Sequence, residues 1–119
     1  MPLNKSYKQG RINEDVKRIL SQVLRDIKDP RIPPLASIMR AEVSTDMKYA
    51  KVYISFYGEY DEAEVRKGLK AARGYMRRKL GEQLSARYVP ELTFEIDRSV
   101  GNAARIDELI KKTHTGDKL

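Results

Sequence analysis

The sequence contains no cysteine and no tryptophan, has a single histidine, and has no apolar run longer than a few residues. Without cysteine there is no disulfide framework, no thiol nucleophile and no thiolate metal site, and a reducing compartment is the expected environment. Residues 1–10 are mostly polar, so the sequence predicts neither a secretory signal nor a membrane span. A cytoplasmic location is therefore expected.

Acidic residues are also scarce in one part of the chain. The chain carries 24 Lys and Arg residues against 17 Asp and Glu residues, which gives a formal charge of +7. Its length of 119 residues suits one domain with a small core. Segment 66–81 has no acidic residue and seven basic ones: Arg66, Lys67, Lys70, Arg73, Arg77, Arg78 and Lys79. A cationic segment of this kind points to a polyanionic partner.

Hydrophobic periodicity predicts two helical regions. Apolar residues recur at three- and four-residue spacing from Arg11 to Lys28, and prolines then end the pattern. The second region runs from Asp61 to Ser85 with acidic residues in its first turn, where the helix dipole favours them. Gly74 lies inside this run, so we expect a break or kink over Ala72, Arg73 and Gly74 that gives two helices. A short helix is expected over 103–112.

Alternating apolar and polar residues predict three strands. The first covers Ser37–Ser44 with Met39, Ala41 and Val43 on its apolar face, and the second covers Tyr49–Tyr57 after a short turn. A third alternation follows Pro90. The predicted fold is α+β, a three-stranded sheet with helices on one face, because only then do all the apolar faces share one core. We expect residues 1–10 to be flexible, 11–112 to form the domain and 113–119 to be a tail.

The basic residues of the second helical region are candidates for contact with RNA phosphates. Arg66, Lys70, Arg73 and Arg77 are spaced by four, three and four, which places them in one row beside the apolar stripe. Like charges in a row repel, and a polyanion would remove that cost. We expect this row and Arg78 to contact phosphates, with Lys67 and Lys79 as further candidates and the Ala72–Gly74 kink shaping the surface. First-helix residues could extend it: Lys17, Arg18 and Arg25.

Other interpretations of the same residues stay open. A small adaptor that binds an acidic protein surface could use the same basic helices, and a solvated helix face needs no partner at all. Tyr49, Tyr53 and Tyr57 could stack on bases from the open sheet face, but the mixed charges around them favour cross-strand pairing. His114 is interpreted as a solvated tail residue. No carboxylate cluster, phosphate loop or nucleophile motif is visible, so we expect no enzyme, no cofactor and no metal site.

From Arg11 to Lys112 the chain resembles the bacterial ribosome-binding factor A family. The resemblance lies in residues of fixed order and spacing: Asp29, Pro30, Arg31, Ile32, Val43, Ser44, Asp46, Ala50, Lys51, Val52, Tyr53, Ala72, Gly74, Arg77, Arg87, Pro90, Leu92, Phe94, Asp97, Ser99, Arg105, Ile106 and Leu109. It implies a type II K-homology (KH) fold in which an Ala-x-Gly kink, here Ala72–Gly74, replaces the usual Gly-x-x-G loop.

The resemblance also implies a function. Members of the family bind immature 30S ribosomal subunits and 16S rRNA near its 5′ end and the neck, and they promote late 16S rRNA processing and subunit maturation without catalysis, particularly in the cold. The implied partners are 16S rRNA, the free 30S subunit and an assembly GTPase, and the chain is expected to be a monomer.

Overall fold

The coordinates are a computed structural model that describes residues 2–98, with side chains from Lys8 to Arg98. In chain order the elements are helix α1 (Pro2–Asp26), strands β1 (Ala36–Val43) and β2 (Tyr49–Phe56), helix α2 (Glu62–Gln83) and strand β3 (Glu91–Ile96). The predicted α+β class with three strands is confirmed. The helix predicted over 103–112, the tail 113–119 and His114 lie outside the described residues.

The sheet has the order β1-β2-β3, with β2 in the centre. Strand β1 pairs with β2 in antiparallel fashion through the short turn, whereas β3 runs parallel to β2 and places Glu91 beside Tyr49. A parallel neighbour requires a crossover, and α2 supplies it. The β1–β2 turn, the end of α2 and the start of β3 therefore lie at the same end of the sheet, which we call the hairpin end.

One core joins both helices to one face of the sheet. The buried stripe predicted for the second helical region is confirmed over its whole length: Val65, Leu69, Ala72, Met76, Leu80 and Leu84. Strand β1 differs from its predicted alternation because the register shifts between Ile38 and Arg40. This bulge turns Ile38 into the core, 4% exposed, in place of Met39, since one extra residue in a strand reverses the alternation locally.

Helix α1 begins at Pro2, whereas the sequence predicted the first helical region from Arg11. The flexibility of residues 1–10 stays a prediction. Proline is compatible with the first turn of a helix, where its missing N–H has no intrahelical partner. Gln9 then donates a side-chain hydrogen bond to the Val43 carbonyl, and the Val43 N–H donates to Asn13 Oδ1 at 2.9 Å. Two amide side chains one turn apart thus satisfy the backbone N–H and C=O groups of Val43 at the end of β1.

Helix α2 continues unbroken through Ala72–Gly74, so the predicted division into two helices is wrong. A glycine in a helix interior costs only about 1 kcal/mol relative to alanine, and its neighbours here are good helix formers. The buried residues on both sides of Gly74, Ala72 and Met76, pack on the same core. Tertiary packing of one continuous stripe therefore outweighs the local cost of the glycine.

The loop after α1 is closed by a turn at Asp29. The Asp29 carboxylate accepts hydrogen bonds from the Arg31 N–H at 2.9 Å and from the Arg31 guanidinium at 3.1 and 2.8 Å. The Ile32 N–H donates to the Asp29 carbonyl at 3.0 Å, which directs the Ile32 side chain into the core. These hydrogen bonds to Arg31 lower the pKa of Asp29 to about 2, from an ordinary 3.8.

Helix α2 passes this turn at Gly68, which is buried. A Cβ at position 68 would lie 2.9 Å from Cγ1 of Ile32 and 3.2 Å from Cβ of Arg31, whereas a Cβ at Gly74 would meet no atom within 4 Å. The missing side chain at Gly68 thus allows α2 to approach the loop closely. Among the described residues, no helix has the length and apolarity needed to cross a membrane.

Two of the three glycines of α2, Gly68 and Gly74, should respond to alanine in opposite ways. We expect Gly68→Ala to lower the free energy of unfolding by about 1 kcal/mol, because overpacking costs about 1–3 kcal/mol and the better helix propensity offsets about 1 kcal/mol. Gly74→Ala should raise it by about 0.5–1 kcal/mol. Urea unfolding of both variants measures the difference, and a stabilised Gly68→Ala would contradict the close contact.

Asp29 should make stability depend on acid. Because its pKa is lower in the folded chain than the ordinary 3.8, its contribution is complete above about pH 4 and is lost as the pH falls toward 2. Asp29→Asn keeps an acceptor for the turn but removes the charge. We expect it to be less stable than the wild type at pH 7 and to converge with it near pH 2 in denaturant titrations. A constant difference over that range would contradict this assignment.

Candidate nucleic-acid interface

The solvent side of α2 carries a continuous set of cations, which we call the α2 basic face: Arg66, Lys67, Lys70, Arg73, Arg77, Arg78 and Lys79. All seven lie on one helix whose opposite side is buried, so the core fixes the direction in which they project. Six of them are exposed, and Lys79 is half-buried. The row predicted from their spacing is present on the surface.

Acidic side chains reach the ends of the α2 basic face from beyond the acid-free segment. Arg66 pairs with Glu62 at 2.9 Å and Lys67 with Glu64 at 3.2 Å, both within the first turns of the helix. At the other end Lys79 pairs with Glu82 at 3.4 Å. Exposed pairs of this kind are worth only about 0.2–1 kcal/mol, but they partly neutralise the three outer cations.

The four central cations are Lys70, Arg73, Arg77 and Arg78, and they have no carboxylate partner among residues 8–98. Within that range the side chains of Lys70 and Arg73 make no hydrogen bond or ion pair at all. The Arg78 guanidinium lies 5.4 Å from the centroid of the Tyr75 ring, which leaves its charge in place. The centre of the face is therefore its most available positive surface.

Arg77 has a second role that its spacing did not reveal. Its Nε donates to the Pro90 carbonyl at 3.2 Å, and its Nη2 donates to the Val89 carbonyl at 2.9 Å. These bonds connect α2 to the segment between α2 and β3, where Val89 also packs against Gly81. Carbonyls do not neutralise the guanidinium, so Arg77 holds the loop and keeps its charge.

The stretch Ala72–Gly74, predicted to shape the surface as a kink, lies within the continuous helix. Ala72 is buried in the core, whereas Arg73 and Gly74 are exposed. Because Gly74 has no side chain and no neighbour where one would lie, the helix backbone is open to solvent between Arg73 and Arg78. Gly74 thus leaves a gap between side chains on the basic face within an unbroken helix.

The three α1 residues predicted to extend this surface differ in their surroundings. Arg18 is paired with Asp15 at 3.5 Å, and Lys17 is half-buried. Arg25 lines a cleft next to the α1–β1 loop, with Pro30, Pro33 and Ala36, whereas Arg77 and Arg78 line a cleft at the hairpin end. The structure thus brings together the α2 residues and does not place Arg25 in the same cleft.

On the open face of the sheet, Tyr53 is not free to stack on a base. The Arg40 guanidinium lies 3.8 Å from the centroid of the Tyr53 ring, and Arg40 pairs with Glu42 at 3.1 Å. The Tyr53 hydroxyl donates to the same Glu42 at 3.1 Å. This three-residue cluster is the cross-strand pairing that the mixed charges indicated.

Sequence reasoning missed the contribution of the segment that precedes β3. Arg87 and Tyr88 line the same cleft as Gly74, Arg77 and Arg78, and the Arg87 guanidinium lies 5.8 Å from the Tyr88 ring. A basic residue next to an aromatic one in a loop was the available signal. Among the described residues no group of three or more His, Asp or Glu side chains gathers in a way that could hold a metal ion.

Comparison with known proteins agrees with this architecture. The family model for ribosome-binding factor A matches residues 8–110. Ribosome-binding factor A of Caldanaerobacter subterraneus is 44% identical over 108 residues, which are 89% of this chain and 88% of the relative. The protein of the same name from Clostridium novyi is 41% identical over 106 residues, which are 87% of this chain and 88% of the relative.

Solved structures share the fold. The crystal structure of ribosome-binding factor A from Thermus thermophilus aligns with a TM-score of 0.67 at 24% identity, covering 76% of this chain and 98% of that one. A Thermus thermophilus homology model fitted into the cryo-EM map of a 30S–RbfA complex aligns at 0.61, with 24% identity and coverage of 72% and 91%. With the family match extending over most of its length, the chain belongs to the ribosome-binding factor A family.

Proposed function

We propose that this protein is an assembly factor for the small ribosomal subunit that binds immature 30S particles and contacts 16S rRNA through the α2 basic face. The 30S subunit is proposed as the target because of the family to which the chain belongs. A homology model of a family member has been fitted into the map of a 30S complex. The observation that carries the mechanism is the set of four central cations without a carboxylate partner among residues 8–98.

The physical basis of the proposed RNA binding is neutralisation of phosphate charges. Each phosphate that meets Lys70, Arg73, Arg77 or Arg78 releases condensed counterions, so the logarithm of the binding constant falls linearly with the logarithm of the salt concentration. The outer cations must first leave Glu62, Glu64 or Glu82, and their contribution is correspondingly smaller. Four engaged phosphates correspond to a slope of about −2.8 to −3.6.

Gly74 supports the same mechanism. Because no side chain stands between Arg73 and Arg78, a sugar-phosphate backbone can approach the helix more closely there than over any other residue type. The two arginines then flank the approaching phosphates, where their planar guanidinium groups can each form two hydrogen bonds. The surface follows a phosphate backbone and has no preference for particular bases.

The proposed role is binding without catalysis. The acids nearest the basic face are already engaged: Asp61 caps α2 by accepting from the Ala63 N–H at 3.0 Å, and Glu62 and Glu64 pair with cations. Promotion of late 16S rRNA processing, contact near the 5′ end and neck, and release by an assembly GTPase belong to the proposal as consequences of the family resemblance. A cytoplasmic, monomeric protein fits these roles.

Charge reversal at the centre of the face tests the proposal. We expect the double variant Lys70→Glu, Arg73→Glu to weaken binding to 30S particles at low salt and to reduce the salt slope by about 1.4–1.8, because two phosphate contacts are lost. Unfolding should change little, since neither side chain makes a hydrogen bond or ion pair with another described residue. Sedimentation with purified 30S subunits over a salt series measures both quantities.

The matched control is Lys28→Glu, Lys51→Glu, which changes the net charge equally at exposed positions outside α2. It should retain most of the affinity and the slope. If both double variants weaken binding equally, the overall charge of the protein and not the α2 basic face attracts the particle. If free rRNA fails to compete with an acidic protein ligand for the face, the chain is an adaptor.

Arg77 and Arg73 should differ in stability although both lie in the predicted row. Arg77→Ala removes two hydrogen bonds to carbonyls in the segment before β3, so we expect the free energy of unfolding to fall by about 1–2 kcal/mol. Arg73→Ala should change it by no more than about 0.5 kcal/mol. Thermal and urea unfolding compare the two, and equal stabilities would remove the structural role of Arg77.

A further inference from the structure

Two clefts meet at the hairpin end and share Arg77, Tyr88 and Val89. One, of about 360 Å³, lies over the β1–β2 turn, and the other, of about 640 Å³, runs along α2 past Gly74. We call the combined depression the Tyr88 groove. The residues that line it include Met47, Lys48, Tyr49, Arg78, Arg87 and Tyr88. The volume of each cleft is in the range of small-ligand sites, about 300–1,000 Å³.

Two aromatic rings in this groove are available for stacking. Tyr49 is 56% exposed and Tyr88 is 58% exposed, and neither ring packs on another aromatic side chain of the described residues. The other sheet tyrosine, Tyr53, is covered by Arg40. Exposed rings that border a cationic surface are the usual platform for unpaired bases, since every base offers a flat face.

The segments that carry these rings are held in place by hydrogen bonds. At the β1–β2 turn the Ser44 N–H donates to the Tyr49 carbonyl at 2.8 Å, and the Met47 N–H donates to the Ser44 carbonyl at 2.9 Å. The Glu91 N–H donates to the Lys48 carbonyl at 2.9 Å, which joins the turn to the start of β3. With Arg77 bonded to Val89 and Pro90, both walls of the groove are preorganised.

Charge within the groove is not uniform. Arg78 and Arg87 line its α2 side, whereas Asp46 and Glu91 lie on its turn side beside Lys48. The Asp46 carboxylate is already bound by the Ser44 hydroxyl at 2.6 Å and by the Lys48 N–H at 3.0 Å. A phosphate is therefore favoured at the arginine side, and the turn side, with its rings and Met47, favours an uncharged group.

We propose that the Tyr88 groove binds an unpaired nucleotide of the RNA, its base stacked on Tyr88 and Tyr49 and its phosphate next to Arg78 and Arg87. This inference rests on the proposed function, because the α2 basic face brings the RNA backbone to the groove through Arg77. It adds a preference that the basic face lacks: single-stranded RNA over a duplex, whose bases are stacked and paired.

The experiment compares two probes with the full chain: an unstructured 12-nucleotide RNA and a 12-base-pair RNA duplex. Fluorescence anisotropy measures the Kd of each over a salt series, and the Kd values are compared at the lowest salt concentration. We expect Tyr88→Ala to raise the Kd for the single strand by about 5- to 100-fold and to leave the Kd for the duplex and the salt slope unchanged. Tyr88→Phe, which keeps the ring, should bind within about twofold of the wild type.

Tyr57→Ala is the matched control, because Tyr57 is 59% exposed at the other end of β2 and lines neither cleft. It should bind both probes as the wild type does. Tyr49→Ala supplies a second variant within the groove, expected to weaken only the single strand. Equal affinities of Tyr88→Ala, Tyr49→Ala and Tyr57→Ala for the single strand would overturn the groove proposal.

The outcomes separate this proposal from the function on which it rests. If the wild type sediments with 30S particles with the expected salt slope and Tyr88→Ala binds the single strand equally well, only the groove proposal fails. If the wild type binds neither RNA probe nor the particle, the proposed function fails and the groove proposal fails with it. Loss of binding to an isolated ribosomal protein, with RNA binding intact, would reassign the groove to a protein partner.

Discussion

The structure depends on the burial of one stripe of α2 against the sheet. Met76 and Leu80 are fully buried, and a helix that buries them has no freedom to rotate. Every cation between positions 66 and 79 must then project away from the core or lie along its border. The same apolar contacts that stabilise the domain therefore determine the direction of its positive surface.

The close approach of α2 to the rest of the fold depends on a small number of specialised residues. Gly68 makes room for Ile32, and the Asp29 turn holds Ile32 in position. At the other end Gly81 packs under Val89 while Arg77 bonds to the carbonyls of the same segment. Residues that mark the family resemblance, such as Asp29, Arg31 and Arg77, thus have structural explanations that are independent of RNA.

The proposed function depends on charge that the fold leaves without carboxylate partners among residues 8–98. A stable surface usually mixes signs and gains paired contacts, as the ends of α2 do with Glu62, Glu64 and Glu82. The cations at the centre of the helix do not gain the stabilisation of such ion pairs. They repel one another, and binding of a polyanion would relieve that repulsion. The groove beside it places two exposed rings next to this charge. In the groove proposal, the charge attracts the RNA backbone and the rings recognise an unpaired base.

The elements of the fold were predictable because their signals are local. Period-3.6 stripes defined both helices, alternation defined the strands, and the core stripe of α2 was predicted residue by residue. The break predicted at Gly74 is wrong because a local propensity of about 1 kcal/mol is set against a packing stripe that extends over the whole helix. Periodicity did not predict the early start of α1 at Pro2, because Gln9 and Asn13 bond to a distant strand.

The sequence by itself determined which residues are cationic, where the acid-free segment lies and which side of each element is apolar, since composition and periodicity are properties of the chain alone. Only the tertiary structure decided that Arg77 holds the segment before β3 and that Tyr49 and Tyr88 line one groove. Those facts depend on the parallel pairing of β3 with β2, which brings residues about forty positions apart to the same end of the sheet.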